Sequence, residues 1–379
     1  MIYLDNAATT LKKPDVVIDA VVEAMKTMGN AGRGATEEAL NTARTIFSAR
    51  ANICELLHGE NPSQVAFMSN STEALNTAIK GLLGSDDHII SSVMEHNSVL
   101  RPLHELEKQG ACVTYVPTDE HGVLDTETLY HAIEPETKAV VLTHASNLTG
   151  NVNPVEEIGR WCQGHDMLFI VDASQTLGAL PVDVQACHID VLCFTGHKSL
   201  YGPQGTGGLY VRPGVTIQPL KSGGSGIQTF NPDHPTEMPT ALEAGTMNGH
   251  GLAGLNAALE FLLAYGVENI AQEEREMTNY FYQAVENIPG IKTYGQFLPH
   301  IPHVPVVALN IRDLDSSEVA DELLEEYDIE TRSGGHCAPK MHEALGTEKQ
   351  GIVRFSFSHF TTKEELDQAI QALQELASC

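Results

Sequence analysis

The stretch TGHKSLYGPQGTGG, residues 195–208, sets Lys198 almost directly after the apolar run DVLCF (190–194) and ahead of a string of glycines. Lysine is rarely buried without a partner. A desolvated lysine amine, however, is a nucleophile toward carbonyl carbon. Other apolar runs also end in polar groups. Ser71 and Thr72 follow VAFM, His96 follows HIISSV, and Asn147 follows AVVLTHAS. Asp172 and Gln175 follow MLFIV, while Thr195 and His197 accompany Lys198 after VLCF. Each has a plain reading as a helix cap or a turn. Together they read as one site, because ligands of open α/β sheets bind beyond the carboxyl ends of the strands.

The set offers a phosphate seat at a helix start, a buried acid, a flat imidazole and an amine. A P-loop needs GxxxxGK[ST], a spacing that TGHKS lacks, and no GxGxxG follows a strand. Pyridoxal 5′-phosphate suits every element. Its aldehyde condenses with a lysine amine, and its ring nitrogen needs a carboxylate to stay protonated and act as an electron sink. Lys198 is the expected attachment point, Asp172 the ring-nitrogen partner, and His96 a side chain lying flat on the ring.

The elements that must position these groups are legible as alternating apolar runs and helical patterns. Strands are expected at VAFM (65–68), HIISS (88–92), VTYVP (113–117), AVVLTH (139–144), MLFIVD (167–172), VLCFT (191–195) and GGLYV (207–211). Continuous apolar strands separated by helices predict an α/β fold with a mostly parallel seven-stranded sheet covered on both faces. Near Gly249 the pattern changes to a strongly apolar helix, then to helices mixed with the separate strands VPVVALNI and IVRFSFS. We therefore expect a large domain over 1–250 and a smaller α+β domain over 251–379.

The formal net charge of −28 repels phosphate backbones and anionic lipid, which argues against nucleic-acid and membrane partners. No apolar stretch is long enough to span a bilayer. The seven cysteines contain no CxxC pair and suggest neither a disulfide framework nor a zinc site. A cytoplasmic protein without a bound metal is expected.

Eight segments resemble, in order, the motifs of group II cysteine desulfurases: YLDNAATT, STEALN, EHNS, SNLTGNVNP, VDASQ, TGHKSLYGPQGTGG, EAGTMN and GGHCAP. That family lies, with selenocysteine lyases, in the class V aminotransferase branch of fold-type I pyridoxal-phosphate enzymes. The resemblance implies that Lys198 carries the cofactor, Asp172 pairs with the ring nitrogen, Gln175 bonds the ring hydroxyl, and His96 stacks on the ring. It assigns the phosphate to Ser71, Thr72, Thr195 and His197. Thr246 is implied to reach the phosphate of another subunit, hence a homodimer. Asn147 is implied to sit near the ring and the substrate carboxylate, which Arg354 would take through its guanidinium fork.

Cys337 stands in the glycine-bearing loop TRSGGHCAPKMH (331–342), expected to be exposed and mobile, with Arg332 and His336 close enough to favour the thiolate. The implied reaction converts L-cysteine to L-alanine and leaves a persulfide on Cys337 for a sulfur-acceptor protein. Selenocysteine lysis, transamination or β-elimination are the alternatives. Two segments depart from the family pattern. Arg33 and Gly34 in NAGRGATEE have no flanking histidine, and SFSHFTT follows Arg354 where an Asn-Thr step is usual.

Overall fold

The computed structural model describes residues 1–29 and 36–378, so Arg33 and Gly34 lie outside the described residues. Its strands are β1 (Ile2–Tyr3), β2 (Val65–Met68), β3 (His88–Ser92), β4 (Cys112–Val116), β5 (Thr137–Thr143) and β6 (Leu168–Asp172). They continue as β7 (Val191–Thr195), β8 (Gly207–Val211), β9 (Ile291–Tyr294), β10 (Val306–Ile311), β11 (Ile329–Glu330) and β12 (Val353–Ser356). Seven of them form one sheet in the order β2-β8-β7-β6-β5-β3-β4. Neighbours within β7-β6-β5-β3-β4 run parallel, and β8 is antiparallel to both β7 and β2. The strands expected from the apolar runs are thus those of the sheet, with ends displaced by at most two residues.

Alternation along the central strands explains their continuous apolar character. Val140, Leu142, Phe169, Val171, Leu192 and Phe194 enter one core, while Ala139, Val141, Ile170, Val191 and Cys193 enter another. Successive side chains point to opposite faces, so a strand covered on both sides has no polar position to offer until it ends. The polar residues therefore gather at the carboxyl ends.

The expected boundary near residue 250 falls inside a helix, Gly249–Tyr265. Its Leu252, Leu255, Ala258, Leu259 and Leu262 join the core of the large sheet, and it packs against the helices Asp15–Thr27 and Glu37–Leu56. Beyond it lies a three-stranded antiparallel sheet in the order β12-β10-β9. That sheet has its own core, built on Phe281, Val307, Leu309, Phe355 and Leu373. Ile2 and Leu4 belong to this core too, and β1 pairs in parallel with β11. The first residues thus lie on the C-terminal core, in a two-stranded pair with β11, and the chain then crosses to the large sheet as a strap.

Candidate active site

Ten of the residues expected at the site line one cavity of about 200 Å³. The large sheet supplies Asp172 at the end of β6 and Thr195 at the end of β7, followed by His197 and Lys198. Gly196 makes the exit from β7 tight. A Cβ there would stand 2.1 Å from Thr206 Oγ1, so only glycine allows this close approach. The strap fixes the next residues: Thr10 N–H donates to the His197 carbonyl at 3.1 Å, and Thr10 Oγ1 to the Lys198 carbonyl at 2.8 Å.

Lys198 has its ammonium pKa lowered from 10.5 to about 8, chiefly by burial and against the pull of Asp172. A fraction of neutral amine near neutral pH is what nucleophilic attack on an aldehyde needs. Asp172 is buried, and its Oδ1 accepts the backbone N–H of Ser174 at 2.9 Å and the Ser174 hydroxyl.

His96 caps the helix Asn97–Glu107, its Nδ1 accepting the backbone N–H of Ser98 at 3.0 Å. Burial first, then the Lys198 charge, pushes its pKa down to about 4. A neutral imidazole that accepts at Nδ1 carries its proton on Nε2. His197 is likewise lowered to about 4 by burial, and its Nδ1 lies 3.0 Å from Thr9 Oγ1.

The phosphate seat differs in one respect from the sequence-based reading. Ser71 and Thr72 are the first residues of the helix Ser71–Leu82, and the cap is Asn70, whose Oδ1 accepts Glu73 N–H at 2.9 Å. Ser71 and Thr72 are therefore not occupied as caps. They stand in the first helical turn, where backbone N–H groups lack intrahelical partners and favour an anion. Thr72 Oγ1 is 2.8 Å from Ser98 Oγ, which joins the seat to the His96 turn.

Gln175 Nε2 donates to the Ala7 carbonyl of the strap at 3.1 Å. Asn147 Nδ2 donates to the His336 carbonyl at 2.8 Å. Arg354, on β12, is 1% exposed and gives NH1 to the Asn147 carbonyl at 2.8 Å and NH2 to Asp5 Oδ1 at 2.6 Å.

Two expected residues lie elsewhere. Cys337 is exposed and does not line the cavity, although its neighbour His336 does. Thr246 is exposed in a separate depression with Ser69, Glu73 and Lys221. The Cys337 loop is tied down at both the His336 and Cys337 carbonyls, the latter accepting Asn97 N–H at 2.7 Å. His336 and Cys337 both have left-handed backbone, with φ of 49° and 55°, a conformation that costs free energy outside glycine. The cavity-lining residues not singled out from sequence are Ala7, Ala8, Asn70, Ser98, Thr143, Ala145 and Ser174, with Asp5 joined to them through Arg354. Asp5, Ala7 and Ala8 belong to the strap, Thr143 ends β5, and the rest stand within two residues of one that was named.

Several cavity-lining residues carry buried polar atoms without a protein partner: Thr195 Oγ1, Asn147 Oδ1, His336 Nδ1 and Arg354 Nε. Buried polar groups are ordinarily satisfied. Orphaned atoms of this kind, beside a helix start, a carboxylate and a lysine whose pKa is lowered by burial, fit an anionic aromatic aldehyde and a small amino acid. Among the described residues no cluster of His, Cys, Asp and Glu is placed to hold a metal ion.

Comparison with known proteins decides the lineage. Residues 2–369 match the family described as Aminotransferase class-V. The chain belongs to that family. Among class V relatives, a probable cysteine desulfurase of Methanothermobacter thermautotrophicus is 34% identical, the match covering 99% of this chain and 94% of the relative. A cysteine desulfurase of Escherichia coli is 32% identical over 99% of this chain and 93% of its own length. The apo structure of a cysteine desulfurase from Thermococcus onnurineus superposes with a TM-score of 0.92 at 30% identity, covering 100% of this chain and 94% of that one. The α/β class with a mostly parallel seven-stranded sheet is that of the class V, fold-type I enzymes. Among the described residues no helix is long and apolar enough to cross a membrane.

Proposed function

We propose that the protein is a pyridoxal-phosphate-dependent cysteine desulfurase that converts L-cysteine to L-alanine and retains the sulfur on Cys337. The observation that carries this reading is the pairing of the buried Lys198–Asp172 site with an exposed cysteine, Cys337, whose immediate neighbour His336 lines that site. An electron-sink cofactor alone is common to the class V family. The adjacent thiol is what distinguishes sulfur transfer from transamination.

Lys198 Nζ would be the point of covalent attachment, Asp172 would pair with the ring nitrogen, and Gln175 would donate to the ring hydroxyl. Ser71, Thr72, Thr195 and His197 hold the phosphate with neutral donors. Bound there, pyridoxal phosphate supplies an electron sink for charge left on the substrate α-carbon. Arg354 orients the substrate carboxylate, with Asn147 beside it. With the cofactor bound, Lys198 Nζ would serve as the base that takes the substrate α-proton. His96, with its proton on Nε2, is a donor that can pass a proton to a departing or arriving group. Cys337 thiolate attacks the substrate sulfur. The carbon–sulfur bond breaks, a sulfur–sulfur bond forms, and alanine leaves as the balancing product.

Thr246, exposed and outside the cavity of its own chain, is read as serving the phosphate of a second subunit in a homodimer. The persulfide passes to a sulfur-acceptor protein. We assign the activity to the cytoplasm, which agrees with the six free cysteines among the described residues.

The test is incubation with L-cysteine and a reductant, measuring alanine and sulfide together. Equal yields support desulfuration. Pyruvate with ammonia would replace the proposal by β-elimination.

A further inference from the structure

The arginine read as the substrate-carboxylate binder is already engaged by a carboxylate of its own chain. Arg354 NH2 and Asp5 Oδ1 are 2.6 Å apart, with side chains 1% and 14% exposed. The pair is 349 residues apart in sequence and is held by a built frame. The strap segment after β1 clamps on the end of β12: Asn6 Nδ2 donates to the Ser356 carbonyl at 2.9 Å, and Ala7 N–H to Ser356 Oγ at 2.9 Å. Asp5 itself bridges to Ser356, two residues beyond Arg354. The Asn147 carbonyl takes NH1, so two sides of the guanidinium are fixed while Nε stays buried and unpartnered.

A guanidinium set by two acceptors is oriented before substrate arrives, which removes an ordering cost from binding. A carboxylate already on it also opposes a second one, because like charges a few ångströms apart repel strongly where solvent is scarce. The two effects have opposite signs on affinity, and they separate by mutation.

We propose that Asp5 is the positioning and affinity-setting partner of Arg354, orienting the guanidinium while limiting its hold on the carboxylate of the amino acid. This rests on the desulfurase reading for the identity of that amino acid. Its functional sense follows from the reaction: L-alanine keeps the carboxylate of L-cysteine, so an arginine that gripped too tightly would retain the product. Binding that is equal in the ground state and the transition state lowers KM without raising kcat.

The test uses the holoenzyme and 3-mercaptopropionate, a carboxylate and thiol without the amine, titrated by calorimetry. Asp5→Asn keeps an oxygen acceptor and removes the charge. It should tighten the dissociation constant about 3- to 10-fold, roughly the size of a charge–charge term at high effective dielectric. Asp5→Ala removes the orienting acceptor as well and should bind more weakly than Asp5→Asn. Both differences should vanish in an Arg354→Gln background, the double-mutant signature of direct coupling. In turnover, Asp5→Asn should lower KM for L-cysteine and lower kcat as alanine release slows.

An unchanged or weakened constant in Asp5→Asn, or a change that survives Arg354→Gln, would overturn the proposal, as would no binding to wild type and Asp5→Asn alike. If Asp5→Asn does not fold, Asp5→Glu replaces it: the charge is kept, so tightening there would overturn the proposal equally. The desulfurase reading is judged separately, by alanine formation from L-cysteine in the wild type. Its failure with the binding order intact would leave the role of Asp5 standing.

Discussion

The backbone N–H of Asn97 donates to the carbonyl of Cys337 at 2.7 Å, so the thiol-bearing loop is docked on the helix whose cap is His96. This one bond, with that from Asn147 Nδ2 to the His336 carbonyl, sets the exposed thiol beside the buried site while leaving the side chain in solvent. A thiol so placed can receive sulfur from within and pass it outward.

If that is its task, Cys337→Ala should reduce alanine formation from L-cysteine by at least about 100-fold, the scale of losing a covalent-catalysis group. Cofactor content, read from borohydride-stable label on Lys198, should not change. Alanine formation at the wild-type rate would remove Cys337 from the mechanism.

His96→Phe keeps a flat ring and removes the Nε2 donor as well as the cap on Ser98 N–H. We expect the holoenzyme to form and the rate to fall by about 10²-fold, as for loss of an acid–base group. The fall should be nearly uniform between pH 6 and 8, because the imidazole is already neutral there, with its pKa held near 4. A loss confined to the acidic side would contradict that protonation state.

Lys198 should cost the cofactor-free chain stability. Its folded-state pKa of about 8 lies below the ordinary 10.5, so the folded form binds fewer protons than the unfolded one across that interval. Stability from this group therefore rises with pH between about 8 and 10.5, and the cost is full below pH 8. Lys198→Met should raise the melting temperature of the apoprotein at pH 7, with the gain shrinking as pH climbs through that window. Thermal denaturation at pH 7 and pH 10 checks it.

Gly196→Ala places a Cβ within 2.1 Å of Thr206 Oγ1. Relief requires the turn after β7 to move, at about 1–3 kcal/mol for overpacking. Because Lys198 is two residues on, cofactor retention should fall as well. Dialysis against buffer without pyridoxal phosphate, followed by absorbance, measures the effect.

Much of the site was legible because the fold puts its polar residues where the apolar runs stop. Asp172 and Thr195 end, and His197 and Lys198 follow, strands that are buried on both faces, and such a strand leaves only its end for chemistry. The phosphate seat was legible in place but not in detail. Asn70, Ser71 and Thr72 can all cap a helix, and which one does so depends on backbone geometry rather than residue type. Asp5 was not legible as a partner of Arg354. Their meeting depends on β1, only two residues long, pairing with β11, and although the opening residues read as a strand, nothing in them says which distant strand they pair with. Thr246 could be named only from the family motif, because it is exposed and lies outside the cavity of its own chain.

Sulfur transfer from L-cysteine to Cys337 can be followed on the protein itself. The direct measurement is mass spectrometry of the Cys337 peptide after one turnover of the holoenzyme with L-cysteine, without reductant. A gain of one sulfur atom on Cys337 is expected, with one alanine released per modified chain. Alanine or pyruvate formed while that peptide stays unmodified would contradict it.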